Sequence, residues 1–164
     1  MTATNDFLEA NQSYSRNFTK SNQPMPPAKK VAIVACMDAR IETGRLLGLE
    51  EGDAHVIRNA GGVVTDDVIR SLAISQRLLG TREIVLIHHT DCGMLTFKDE
   101  ALKARIEEDT GIRPQFAMEA FPDLEDDVRQ SVRRIQASPF VQHKSDIRAF
   151  VYDVDTGRLN EIVD

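Results

Sequence analysis

Val31-Ala32-Ile33-Val34-Ala35-Cys36-Met37-Asp38-Ala39-Arg40 is the stretch that decides the fold. Its first five residues are short, continuous, apolar and rich in β-branched side chains, the pattern of a strand buried on both faces. Chemistry-bearing residues begin where that strand ends. Residues 83–88 repeat the arrangement and open directly into His89-Thr90-Asp91-Cys92-Gly93. Between the two lies a further strand, residues 54–58, entered through Glu51-Gly52-Asp53 and followed by the glycine-rich Asn59-Ala60-Gly61-Gly62, which reads as a flexible loop.

Helical patterns separate these strands. Residues 41–49 carry Leu46, Leu47 and Leu49 and read as a short helix. Thr65 is a natural N-cap for a helix that runs to Leu79, with Val68, Leu72, Ile74, Leu78 and Leu79 on or near one face and Gly80 as its stop. Residues 98–109 form a charged, solvated helix. Residues 121–136 form another, with Leu124, Val128, Val132 and Ile135 as its apolar stripe. Residues 147–154 and 158–163, joined through Asp155-Thr156-Gly157, read as a terminal hairpin. Strand–helix alternation of this kind predicts an α/β fold: a mostly parallel central sheet flanked by helices, closed by a C-terminal antiparallel hairpin.

At the other end, residues 1–27 read as an arm and linker, and residues 28–164 as a single catalytic domain. Phe7, Tyr14 and Phe18 fall at spacings compatible with one helical stripe, which suits either an arm helix packing on a partner subunit or a loosely ordered tail. Gln23-Pro24-Met25-Pro26-Pro27 breaks any helix there.

Composition narrows the function class. With 164 residues the chain is long enough to bury a sizeable core. Its formal charge of −6 argues against nucleic acid or an anionic membrane surface as the main partner. No apolar run approaches a membrane span, and the first residues lack the basic and apolar regions of a secretory signal, so the expected compartment is the cytoplasm. In a reducing cytosol two cysteines point to metal or catalysis rather than to a bridge.

Ligands in open parallel sheets bind beyond the carboxyl ends of the strands. If the strand at 31–35 lies beside that at 83–88, Cys36, His89 and Cys92 emerge at one sheet edge. Two thiolates and an imidazole are three good zinc ligands, and three protein ligands rather than four mark a catalytic site. The competing reading makes both thiols small buried hydrophobes and His89 a backbone partner. Asp38 and Arg40, two residues apart just past the strand, can pair so that each fixes the other. A zinc held by two thiolates and a neutral imidazole carries no net charge and acidifies water less than a three-histidine site, so an orienting acceptor such as Asp38 is physically useful. His88, preceding His89, points to the opposite face of the strand and reads as a core residue or a proton relay. His55 and His143 read as structural or surface residues.

Together, Cys36-x-Asp38-x-Arg40, Arg58-Asn59-Ala60-Gly61 and His89-x-x-Cys92-Gly93 resemble the β-class carbonic anhydrases, in particular their small bacterial branch. The resemblance covers residues 28–160. It implies one Zn2+ per chain held by Cys36, His89 and Cys92, with Asp38 and Arg40 as a catalytic pair, and reversible hydration of carbon dioxide to bicarbonate and a proton. Gly61 and Gly62 would leave space and backbone N–H groups beside the substrate, although Gly62 reads equally as part of a simple tight turn. It further implies a homodimer or dimer-based oligomer. Two alternatives stand beside it: a hydrolase of carbon disulfide or carbonyl sulfide on the same fold, and a non-catalytic zinc or thiol sensor in which Asp38 and Arg40 would be dispensable.

Overall fold

The computed structural model describes residues 2–163. Five strands, β1 (Val31–Cys36), β2 (Ala54–Asn59), β3 (Glu83–His89), β4 (Ile147–Tyr152) and β5 (Leu159–Ile162), form one sheet in the order β2-β1-β3-β4-β5. The first four are parallel neighbours, and β5 returns antiparallel to β4. The chain moves from β1 outward to β2, then crosses back to place β3 on the other side of β1. Strand order therefore reverses at β1 and β3, so their carboxyl ends flank the crevice where such sheets bind ligands.

All six residues of β1 are buried, as its uninterrupted apolar run predicts for a central strand covered on both faces. On one face Ala32, Val34, Ile84, Leu86, Ala149 and Val151 pack against helices α3 (Asp66–Leu79) and α5 (Leu124–Ala137), through Val68, Leu72, Val128 and Ile135. On the other, Ile33, Ala35 and Ile87 meet Leu46 and Leu47 of the short helix α2 (Thr43–Leu47). Leu72 and Leu86 have no exposed surface, so truncating either to alanine costs about 2–5 kcal/mol.

Local chemistry sets the helix ends. Thr65 Oγ1 accepts from the Val68 N–H at 3.3 Å and starts α3 where the sequence places it. The helix expected from residue 121 begins later. Asp123 caps α5 by accepting from the Asp126 N–H at 2.9 Å, and Phe121 and Pro122 belong to the preceding loop. Of residues 59–62, read as a flexible loop, Asn59 ends β2 and residues 60–62 form a tight turn in which Gly61 and Gly62 are buried. The last two strands do form a hairpin, but β4 also extends the parallel sheet beside β3, with His89 level with Tyr152.

Helix α4 (Asp99–Thr110) buries none of its residues, in keeping with its charge. Its first residue nevertheless organises a neighbouring segment. The Asp99 carboxylate accepts the N–H groups of Met118, Glu119 and Ala120 at 2.8–3.2 Å and holds the loop that leads to Phe121. The N-terminal arm is helical, α1 (Ala3–Arg16), and buries none of its residues either. Phe7, Leu8, Tyr14 and Phe18 all remain exposed. Polar ties attach the arm region to the domain, including Tyr14 Oη to Glu51 at 2.7 Å and Gln23 Nε2 to the Glu51 carbonyl at 2.9 Å.

Candidate metal centre

Cys36 is the last residue of β1 and His89 the last of β3, and the loop after β3 turns Cys92 back toward both. The two Sγ atoms and a ring nitrogen of His89 lie within 4.8 Å of one another, and all three residues are buried. Parallel pairing of Ala35 with Ile87 brings the strand ends together, although the residues are far apart in sequence. Their surroundings are apolar: Ile41, Val63, Met94 and Phe121 pack around both cysteines.

His89 Nδ1 lies 2.8 Å from the Thr90 carbonyl oxygen. A carbonyl only accepts, so Nδ1 carries the hydrogen and Nε2 presents a lone pair. That Nε2 is buried without a protein hydrogen-bond partner. Thr90 is itself anchored by β4 and the residues after it: its N–H donates to Tyr152 O at 2.9 Å, and its Oγ1 accepts from the Val154 N–H at 3.0 Å.

The thiols are free rather than bridged. A hydrogen bond from Cys92 pulls the Cys36 thiol well below its ordinary value, helped by His89 and by the Asp38 and Gly61 N–H groups, against the opposing effect of burial. The same bond, with burial, pushes Cys92 up. Two thiols this close in an apolar pocket do not both ionise unless a cation joins them. Two soft sulfur donors and an unpartnered imidazole nitrogen fit a zinc ion with bonds of about 2.0–2.3 Å.

Asp38 and Arg40 meet as their spacing predicts. Asp38 Oδ1 accepts from Arg40 Nε at 2.9 Å and from its backbone N–H at 2.8 Å, while Oδ2 accepts from Nη2 at 2.8 Å. The guanidinium holds the Asp38 carboxyl far below the usual carboxylate range. Asp38 Oδ2 also lies 3.7 Å from His89 Nε2, which places the carboxylate beside the three donors.

Arg58 and Asn59 are part of the sequence motif, and both hold the backbone of the site. Arg58 donates Nε and Nη2 to the Cys36 carbonyl at 3.0 and 2.8 Å, and Nη2 to the Asp38 carbonyl at 2.7 Å. The Asn59 carbonyl accepts the Met37 N–H at 2.8 Å. The chain between Cys36 and Asp38 is thereby fixed from β2.

The centre opens into a cavity of about 420 Å³, lined beyond Cys36, His89, Cys92 and Asp38 by Met37, Ala60, Gly61, Gly93, Met94, Thr96 and Phe97. Gly61 adopts φ 84°, and a Cβ there would stand 3.0 Å from Met94 Cγ and 3.2 Å from Phe121 Cε1. Gly62, expected beside the substrate, is not part of this lining. A Cβ on it would stand 2.8 Å from the Cys36 N and 3.0 Å from the Ile87 carbonyl oxygen, so the residue is small to let the turn lie against the sheet backbone. His88 faces away from the centre, fully buried, with Nε2 at 2.8 Å from Asp127 Oδ2. His55 Nδ1 bonds Ser75 Oγ at 2.7 Å, and the His143 backbone is pinned by Gln76.

Thr90, Asp91 and Phe121 are not legible in the sequence as site residues. Thr90 and Asp91 stand inside the His-x-x-Cys segment, but their contacts come from the end of β4 and from Arg40. Phe121 carries no local signal at all.

Residues 31–159 match the family model described as carbonic anhydrase. Beta-carbonic anhydrase 1 of Mycobacterium tuberculosis is 62% identical over 162 residues, covering 99% of each chain. A carbon disulfide hydrolase of Saccharolobus solfataricus is 32% identical over 161 residues, covering 84% of this chain and 79% of its own. Among solved structures, the carbonic anhydrase of Streptococcus mutans aligns with a TM-score of 0.93 at 43% identity, across 99% of both chains.

Proposed function

This chain belongs to the β-carbonic anhydrase family, and from that premise we propose that Cys36, His89 and Cys92 hold its metal while Asp38 and Arg40 orient the attacking water. The activity is the reversible hydration of carbon dioxide to bicarbonate and a proton, with zinc as cofactor. The observation that carries the residue assignment is the buried, unpartnered His89 Nε2, set beside two free thiols and an arginine-held carboxylate.

Bound zinc supplies the Lewis acidity that makes water nucleophilic near neutral pH. The protein supplies orientation. Asp38, kept ionised by Arg40, accepts a hydrogen bond from a water beside the ligand cluster and so aims a lone pair of that water at the substrate carbon. Thr90 keeps His89 in the tautomer that offers Nε2. Met37, Met94 and Phe97 give the cavity apolar walls, suited to a small molecule without a dipole. Gly61 keeps the inner wall open, since any side chain there would press on Met94 and Phe121.

Stopped-flow carbon dioxide hydration, with zinc measured on the same sample, tests the assignment. Cys36→Ala should lose both zinc and activity, and full zinc stoichiometry in that variant would remove Cys36 from the ligand set. Carbon disulfide assayed in parallel should turn over far more slowly.

The same reading covers assembly and location. The exposed Phe7, Leu8, Tyr14 and Phe18 on and just after α1 are supported as a surface that a second copy of the chain covers, giving a homodimer. Residues 1–27 are then the arm and linker, and residues 28–164 the catalytic domain. Sedimentation of a variant lacking residues 1–22 tests this, and an unchanged dimer would discard it. Among the described residues no helix is long and apolar enough to cross a membrane. Two unbridged thiols favour a reducing, cytoplasmic location.

A further inference from the structure

Between His89 and Cys92 stands a carboxylate that plays no part in the hydration step as described. Asp91 has φ 54°, in the left-handed region that residues other than glycine, asparagine and aspartate rarely adopt. Its Oδ2 accepts from Arg40 Nη1 at 2.7 Å, and its carbonyl oxygen accepts from Arg40 Nη2 at 3.0 Å. The adjacent edge of the same guanidinium, sharing Nη2, is on Asp38, through Nε and Nη2. Arg40 is therefore held along two of its edges. One edge holds the catalytic carboxylate, and the other grips the loop that carries His89 and Cys92.

We propose that Asp91 is a positioning residue for hydration: by holding a second edge of Arg40, it fixes the direction in which Asp38 faces the ligand cluster. Three observations carry this. A guanidinium paired with Asp38 alone could swing with it, because the Arg40 side chain is 46% exposed. With a second carboxylate on the other edge, the planar fork cannot turn without breaking bonds on both. Glycine would adopt the left-handed conformation without steric cost. What aspartate adds at this position is its carboxylate, and that group is on Arg40. Finally, the Asp91 side chain is 79% exposed, so the ion pair contributes little to folding stability. Its consequence lies in geometry at the site.

The inference rests on the orienting role assigned to Asp38 and Arg40. The test uses full-length zinc enzyme carrying Asp91→Gly, which keeps the backbone conformation accessible, and Asp91→Asn, which keeps shape and removes charge. Hydration is measured by stopped flow and normalised to zinc content. Both variants should retain zinc stoichiometry and melting temperature while kcat per zinc falls about tenfold, the usual scale for loss of a supporting partner. In an Arg40→Lys background, Asp91→Gly should cause little further loss. The second readout is independent of turnover. Arg40 guanidinium resonances should be resolved in the parent protein and motionally averaged in both variants, with or without zinc.

Unchanged kcat per zinc in both variants overturns the proposal. So does a loss of activity that merely follows a loss of zinc, which would make Asp91 a structural element of the ligand loop. If Asp38→Asn keeps full activity, the orienting role of Asp38 fails and this inference falls with it. If Asp38→Asn is impaired while the Asp91 variants are not, only the inference about Asp91 falls.

Discussion

The two faces of β3 at its carboxyl end carry the same side chain and put it to different uses. His89 turns toward Cys36 and Cys92, and its Nε2 has no hydrogen-bond partner. His88 turns toward α5, its Nε2 is bound to Asp127 at 2.8 Å, and the nitrogen it leaves without a partner is Nδ1. Both imidazoles are fully buried. The difference lies in what the neighbouring elements offer. One face supplies two thiols that need a cation before both can ionise. The other supplies a carboxylate in the first turn of a helix, where the positive end of the helix dipole favours it. Burial of a histidine thus says nothing about ligation until its neighbours are known.

Removing a donor is the harshest way to break this comparison. His89→Ala should leave zinc content near zero and hydration at the uncatalysed background, whereas His88→Gln should retain zinc. Metal analysis on both variants decides it, and zinc loss in His88→Gln would mean that the two faces are not separable. Removing the carboxylate proposed to orient water should have a smaller effect. Asp38→Asn is expected to keep zinc and lose about 100-fold in kcat, the scale of a misplaced reacting group. Stopped-flow rates normalised to zinc would show it.

The opposite face should answer in stability rather than rate. Asp127→Ala leaves His88 Nε2 buried without its partner and should cost about 1–3 kcal/mol, with kcat per zinc unchanged. Urea unfolding of the zinc-loaded protein measures that cost.

The smallest effect belongs to the wall between the faces. The Phe121 ring lies 5.9 Å from the His88 ring, and the same residue packs with Cys36 and Cys92. Its loop depends on Asp99. Burial raises the Asp99 carboxyl, but the N–H groups of Ala120, Met118 and Glu119 outweigh it and hold the group below its ordinary value. A folded-state value below the unfolded one means that this stability is present above about pH 4 and is lost as pH falls through the folded value. Asp99→Asn should therefore be less stable than the parent by about 1 kcal/mol at neutral pH, with the gap closing below about pH 4. A gap that persists in acid would show that the carboxylate charge is not what holds the loop.

Particular residues show how far the sequence can be read. The runs at 31–35 and 83–88 mark buried strands because continuous β-branched residues suit a sheet covered on both faces. Thr65 and Gly80 bound α3 because capping is local chemistry. The start of α5 is misplaced by sequence alone, since Pro122 looks like a helix opening and only the hydrogen bond of Asp123 shows otherwise. Gly62 reads equally as a substrate neighbour or as part of a tight turn, because nothing local distinguishes a glycine that lines a cavity from one that lets a turn approach a strand. Asp91 and Thr90 lie inside the ligand segment, yet their contacts come from residues 51 and 62 or more positions away.

By itself the sequence determined the kind of chemistry: two sulfurs and an imidazole placed at strand ends, with an aspartate and an arginine close enough in the chain to pair. Those follow from residue type and short spacing, which local physics governs. Tertiary structure alone decided which neighbour each of these groups meets: Asp127 for His88, Tyr152 and Val154 for Thr90, Asp91 for Arg40, Phe121 for Gly61. Such pairings depend on how parallel strands align and how loops return over their ends. They are set by packing among residues distant in sequence, and no local pattern encodes them.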